Sequence, residues 1–257
     1  ILALLANAHA QLKHYKQAIP YIEQAIKQSK KPQESWLQLN LALYYELENY
    51  HAATKLLRKL IARYPNKKTY WQQLSTSYQQ NKQFSQALSI QQLADKKGFI
   101  SSESERLAFI NLLLYQKQPY QAAEYLQAAL NNKHIKNTAQ HWEQLAHAWT
   151  SAREYPKAIN ALEKASALHE KGELYLQLGR IHVEQEHWQD AIAAIKLALN
   201  KGNLKHPGEA YILLGMSLYE TQQTAAAKHA FQQAKQWQKS KKSAAQWLSY
   251  IKNNHAI

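Results

Sequence analysis

Apolar residues along the chain fall into a two-helix pattern that returns at a near-constant interval. Its plainest copy runs from Gly172 to Ala198, where Tyr175, Leu178 and Ile195 are large and Gly179, Ala191 and Ala198 are small. Two helices whose axes lie about 8–10 Å apart need that division, with small side chains at the crossing and bulky ones on its flanks. Counted from Gly172, the alanines at position 20 are Ala18, Ala53, Ala87, Ala123, Ala158, Ala191 and Ala227, spaced by 33 to 36 residues. Three residues before them stand Tyr15, Tyr50, Phe84, Tyr120, Tyr155, Trp188 and, exceptionally, Thr224. Each aromatic ring is expected to pack over the turn into its second helix. At or near position 4 come Leu2, Trp36, Trp71, Leu107, Trp142, Tyr175 and Tyr211. The spacing predicts seven helix pairs, near residues 1–30, 33–65, 68–98, 102–133, 138–170, 172–203 and 207–239, forming a single array over 1–257. An unpaired helix over 241–253, carrying Trp247 and Tyr250, is expected to cover the last pair. Stacked repeats need such a cap because each buries its apolar face only against its neighbours.

Punctuation agrees with the period. Pro32 and Pro207 suit the first turns of first helices, and Pro119 and Pro156 those of second helices. Ser102 and Glu105 have capping-box spacing. Gly98 and Gly202, each soon followed by an apolar residue, read as glycine caps ending second helices. Pro20 should kink the second helix of the first pair. Asn40 and Asn111 fall at position 8, where a small residue is usual, and are expected to open their pairs slightly. The start, ILALLANAHA, has the look of a secretion signal but carries no basic segment, and Leu2, Leu5 and Ala6 fit repeat positions. It is read as the first helix of an array within a longer protein.

Composition points the same way. Of 257 residues only 6 are Gly and 6 Pro, Cys is absent, and Ala, Leu, Gln, Lys and Glu dominate, which favours helix throughout. No apolar run approaches the roughly 18 residues that a membrane span requires.

With these positions in phase, the chain resembles tetratricopeptide repeat (TPR) proteins over essentially its whole length. The resemblance implies an all-α, right-handed α-α superhelix. Four segments, 65–74 (PNKKTYWQQL), 173–179 (ELYLQLG), 201–215 (KGNLKHPGEAYILLG) and 244–250 (AAQWLSY), resemble more narrowly the TPR proteins encoded beside TonB–ExbB–ExbD systems of Gram-negative bacteria. That narrower likeness implies a periplasmic accessory of TonB-dependent transport.

In such an array the first helices line the concave face. The residues expected there as partner-binding candidates are Tyr44, Gln72, Thr76, Gln79, Tyr115, Glu143, His147, Arg180, Met216 and Tyr219, with Leu37, Leu41, Tyr45, Leu112 and Leu176 on the same register. Tyrosines, amides and a few aliphatics suit an extended peptide or a docked helix. The alternative for any tyrosine is packing on the neighbouring repeat. A carboxylate clamp of Lys and Asn is not expected, because its lysine slots hold Ala3, Gln72 and Thr76.

The net charge is +14. It is unevenly placed: the first helices of repeats two to seven are read as holding Arg106 and Arg180 against Glu34, Glu46, Glu105, Glu143, Glu173, Glu184, Glu209 and Glu220. The densest basic runs, Lys55 to Lys68 and Lys235 to Lys242, then fall on second helices, turns and the tail. Helix dipoles favour some of these acids regardless of function. The remainder predicts a groove for a neutral or basic segment and an opposite face able to meet an anionic surface.

No catalytic, cofactor or metal motif stands out. There is no HExxH, no phosphate loop and no nucleophile elbow, and His187 with Asp190 at i, i+3 reads as an ordinary pair of solvated polar side chains. The function expected is a non-catalytic scaffold for a protein or peptide. The alternatives are a nucleic-acid-associated TPR protein using the basic face, and the interaction arm of a larger protein.

Overall fold

The computed structural model describes residues 1–254, with fifteen α-helices and no strand among them. The helices are α1 (Leu2–Gln11), α2 (Tyr15–Gln28), α3 (Glu34–Glu46), α4 (Tyr50–Arg63), α5 (Lys68–Gln80), α6 (Phe84–Lys96), α7 (Glu103–Tyr115), α8 (Pro119–Asn131), α9 (Ala139–Ser151), α10 (Tyr155–Leu168), α11 (Gly172–Glu184), α12 (Trp188–Lys201), α13 (Pro207–Glu220), α14 (Thr224–Lys235) and α15 (Lys241–Asn254). Every expected pair is present within a few residues of its predicted limits, as is the closing helix. α2 runs through Pro20 without ending.

Two compact units emerge, Ile1–Lys117 and Gln118–Ile257, so the boundary falls in the turn between α7 and α8. In the first, α1 to α6 each pack on the next helix, and α6 packs on α7. Its core includes Leu37, Leu41, Ala53, Leu57, Leu60, Tyr70 and Leu74. In the second, consecutive helices from α8 to α15 pack in the same way. There Leu176, Ala191, Ile195, Ala210, Leu214 and Phe231 form a continuous apolar cluster, on which Trp247 and Leu248 of α15 also pack. The close crossing is tightest at the glycines. A Cβ on Gly215 would lie 2.6 Å from Cε1 of Phe231, and one on Gly172 would lie 2.4 Å from the carbonyl oxygen of Gly202.

Each helix pair turns through a single residue with positive φ: Lys13, Glu48, Lys82, Lys117, Arg153, Glu186 and Gln222. These residues provide the true register, and it corrects two repeats by one position. In repeat two, positions 4 and 8 are Leu37 and Leu41, both in the core, rather than Trp36 and Asn40. In repeat four, position 8 is Ile110, which is fully buried, and Asn111 is exposed. The alanine at position 20 there is Ala122, although Ala123 is equally buried. The cap predictions fare better: Ser102 and Glu105 form a reciprocal capping box. Gly98 takes φ +73° just after α6, while Gly202 takes φ 69°, ψ −160°, a region essentially reserved for glycine.

Candidate partner-binding face

In the first unit, α3, α5 and α7 present side chains to a shared face. A cleft of about 530 Å³ lies along α3 and the start of α5, lined by Gln38, Ala42, Tyr45, Lys67, Lys68 and Gln73 among others. A second, of about 160 Å³, is lined by Trp71, Gln72, Thr76, Gln91, Phe99 and Glu105 among others. Gln72 and Thr76 are thus placed as expected. Tyr44 is not. The one-residue shift turns it toward α2, where its hydroxyl donates to Glu23; burial first, and that carboxylate second, push it up to about 12. Tyr45 and Gln38 take the cleft positions instead, and Leu37, Leu41 and Leu112 are core residues. Gln79 bends back to donate to Ser75 at 3.4 Å. Tyr115 is 62% exposed, its ring centroid 4.5 Å from that of Phe84.

The acidic residues of this face are mostly committed to adjoining repeats. Glu34 accepts from Lys67 at 2.5 Å and from the Tyr70 hydroxyl. Those two hydrogen bonds hold its carboxyl below the usual range. Glu105 accepts from Lys68 at 2.8 Å, from Gln72 at 2.5 Å and from the Ser101 and Ser102 backbone amides. Burial alone would raise its pKa, but these donors, Lys68 foremost, outweigh it and lower the pKa to about 2. Lys68 and Glu103 also belong to first helices, one of each sign, so the acidic excess of the sequence count is unchanged.

A pH dependence follows. The folded pKa of Glu105 lies below its unfolded value, so its contribution is complete above about 4.5 and fades as pH falls toward about 2. Lys68→Met is expected to cost about 0.5–1 kcal/mol near neutral pH, since the pair is partly exposed. Urea melts across that acid window should show the difference between mutant and parent shrinking.

The second unit repeats the device. Gln177 donates to Glu143 at 3.0 Å, and His147 lies 3.9 Å from the same oxygen while remaining largely exposed. Arg180 pairs with Glu209 of the next repeat at 3.0 Å, which assigns it a structural partner. The Lys205 backbone amide donates to Glu173 at 3.2 Å. Leu176 is fully buried and leaves the face, while Met216 is half-buried on the core. Tyr219 meets Trp247 and Tyr250 of α15, with centroids 6.0 and 5.9 Å away. With Glu220 and Gln246 these rings line a cavity of about 270 Å³. Glu184 and Glu220 stay exposed.

The basic runs divide. Arg63 donates to the Pro32 carbonyl at 2.7 Å, and Lys67 and Lys68 serve the glutamates above. Lys55, Arg58 and Lys59 form an exposed stripe on α4. The inter-repeat hydrogen bonding of the first helices was not legible from the sequence, because the pairs lie 28 to 37 residues apart.

Tetratricopeptide repeat family models match residues 1–32 and 176–244. No curated protein matches the chain. Among solved structures it is similar to the C-terminal part of a TPR repeat-containing protein from Cytophaga hutchinsonii, at 16% identity and TM-score 0.59, over 94% of this chain and 97% of that one. It is also similar to YrrB, described as a TPR protein with an unusual peptide-binding site, at 13% identity and TM-score 0.54, over 74% and 96%. A third likeness, to MamA, has 19% identity and TM-score 0.52, over 67% and 97%. At these identities the likeness concerns the fold alone. Tetratricopeptide repeats are thus supported at both ends of the chain, and its all-α stacked fold is similar to that of TPR proteins.

Proposed function

We propose that the chain is a non-catalytic scaffold that holds an extended peptide, or an exposed segment of a partner protein, against its first-helix face. One observation carries this reading. The clefts of the first unit contain Lys67, Lys68 and Glu105, but these charges are consumed by pairing, with Glu34 serving Lys67, so amides, hydroxyls and ring edges are what the wall offers a ligand. The Gln73 and Gln91 side-chain oxygens, one in each cleft, are buried without a partner. The exposed amides of Gln38 and Gln72 beside them suit an extended backbone, whose N–H and C=O groups pair with amide side chains. In the second unit, exposed Glu184 and Glu220 favour a neutral or basic segment.

The test is selection from a random peptide library. Selected peptides should be neutral or basic, and Gln72→Ala with Thr76→Ala should weaken them about tenfold, the loss of roughly 1.4 kcal/mol, with only a small fall in melting temperature from the lost Gln72–Glu105 hydrogen bond. Acidic selected peptides, or unchanged affinity in the double variant, would move the site elsewhere. Tight, steeply salt-dependent binding of short DNA or RNA would favour the Lys55–Arg58–Lys59 stripe instead.

Within this reading the setting is periplasmic, beside TonB-dependent transport. Its support is the likeness of the four sequence segments alone. Fractionation of cells carrying the tagged full-length protein tests it.

A further inference from the structure

The turn of repeat six brings together three side chains that the peptide-binding reading does not use. His182 lies in the last turn of α11, His187 is the residue preceding α12, and Asp190 lies in the first turn of α12. One donor atom from each, two imidazole nitrogens and a carboxylate oxygen, lies within 4.8 Å of the other two. Helix dipoles account for a histidine at one helix end and an acid at the next. They do not account for convergence across a turn; the His182 Nδ1 is buried without a hydrogen-bond partner, as is the equivalent His9 Nδ1 of repeat one.

The protein contains its own comparison. In repeat one, His9 and His14 occupy the same two positions, with the His14 amide donating to the His9 carbonyl at 2.8 Å, as the His187 amide does to His182. The ring centroids are 6.1 Å apart in both pairs, tilted by 44° and 40°. At the position of Asp190, however, repeat one has Gln17, an uncharged amide. The other five repeats do not have the histidine pair: Tyr44 and Asn49, Tyr78 and Gln83, Leu113 and Gln118, Trp149 and Glu154, and Leu218 and Gln223 stand there.

We propose that His182, His187 and Asp190 bind a divalent transition-metal cation such as Zn²⁺ across the turn of repeat six. Two imidazoles and one carboxylate suit borderline first-row cations rather than Ca²⁺ or Mg²⁺, which prefer oxygen ligands. Metal–ligand bonds of about 2.0–2.2 Å require the donors to close on one point. His187 and Asp190 are exposed at the turn, while His182 is half-buried. The remaining coordination positions face solvent and would take water.

Calorimetric titration of the chelator-stripped chain with ZnCl₂ tests this, with Co²⁺ absorption as a second readout. One saturable cation per chain is expected, together with a Zn²⁺-dependent rise in melting temperature. Asp190→Asn and His187→Gln should each weaken binding by about tenfold or more, and remove that rise, given that outer-shell changes alone cost 10–100-fold. His14→Gln should leave both untouched. Equal losses in His14→Gln and His187→Gln would mean scattered surface histidines, and would overturn the proposal, as would the absence of saturable binding. Circular dichroism of the metal-free variants separates loss of ligands from loss of fold.

Discussion

Phe231→Ala is expected to lower stability by about 3–5 kcal/mol, the range for removing a buried aromatic ring. Phe231 is fully buried and stacks on Trp247 of α15, with centroids 5.3 Å apart and planes 5° from parallel. On its other side it fills the space that Gly215 leaves by having no side chain. The neighbours cannot collapse into the resulting cavity, since Leu214, Leu218 and Ile251 are already packed around it. Two things should be lost together: the crossing of α13 with α14, and the seat of α15. Urea unfolding followed by tryptophan fluorescence measures both. If the chain unfolds from this end first, as stacked repeats can, the transition should broaden as well as shift. A loss below about 1 kcal/mol would show that α15 does not depend on the stack.

Gly172→Ala is the second large effect, expected at about 1–3 kcal/mol or more through overpacking. The new methyl would meet two carbonyl oxygens, of Gly202 at 2.4 Å and of Ala198 at 2.7 Å. Both belong to backbone and cannot rotate aside. Gly179→Ala is the informative comparison, because its methyl would press on the Ile195 side chain, at 2.4 Å from Cγ1. Ile195 is fully buried and, as a β-branched residue in a helix, has one favoured χ1, so that variant should lose a comparable amount. Melting temperatures of the two variants decide the matter. A larger loss in Gly179→Ala would mean that the end of α12 yields more readily than Ile195.

The period and the cap helix were legible because close helix crossings leave a mark in one dimension. Ala18, Ala53, Ala87, Ala158, Ala191 and Ala227 are all fully buried. Register failed where two consecutive residues satisfied the pattern equally well. Ala122 and Ala123 are both fully buried, and Asn40 is nearly as buried as Leu41. Counting back from the turn would have resolved this, since a polar residue five places before the alanine takes positive φ in every pair. The slip then misplaced Tyr44 on the groove. The inter-repeat pairs were hidden for another reason: Glu34 with Lys67 and Arg180 with Glu209 join helices of different repeats at no fixed spacing. His182 escaped notice because its partners lie across a turn rather than along its own helix.

The seven turn residues with positive φ are lysine, glutamate, arginine or glutamine, never glycine, and all are exposed. A side chain in that conformation costs on the order of 1 kcal/mol. The protein therefore keeps an untapped reserve of stability at sites that touch neither its core nor its clefts. That reserve and the proposed binding face lie on separate residues, so the first-helix face can change while compensation is found one turn at a time.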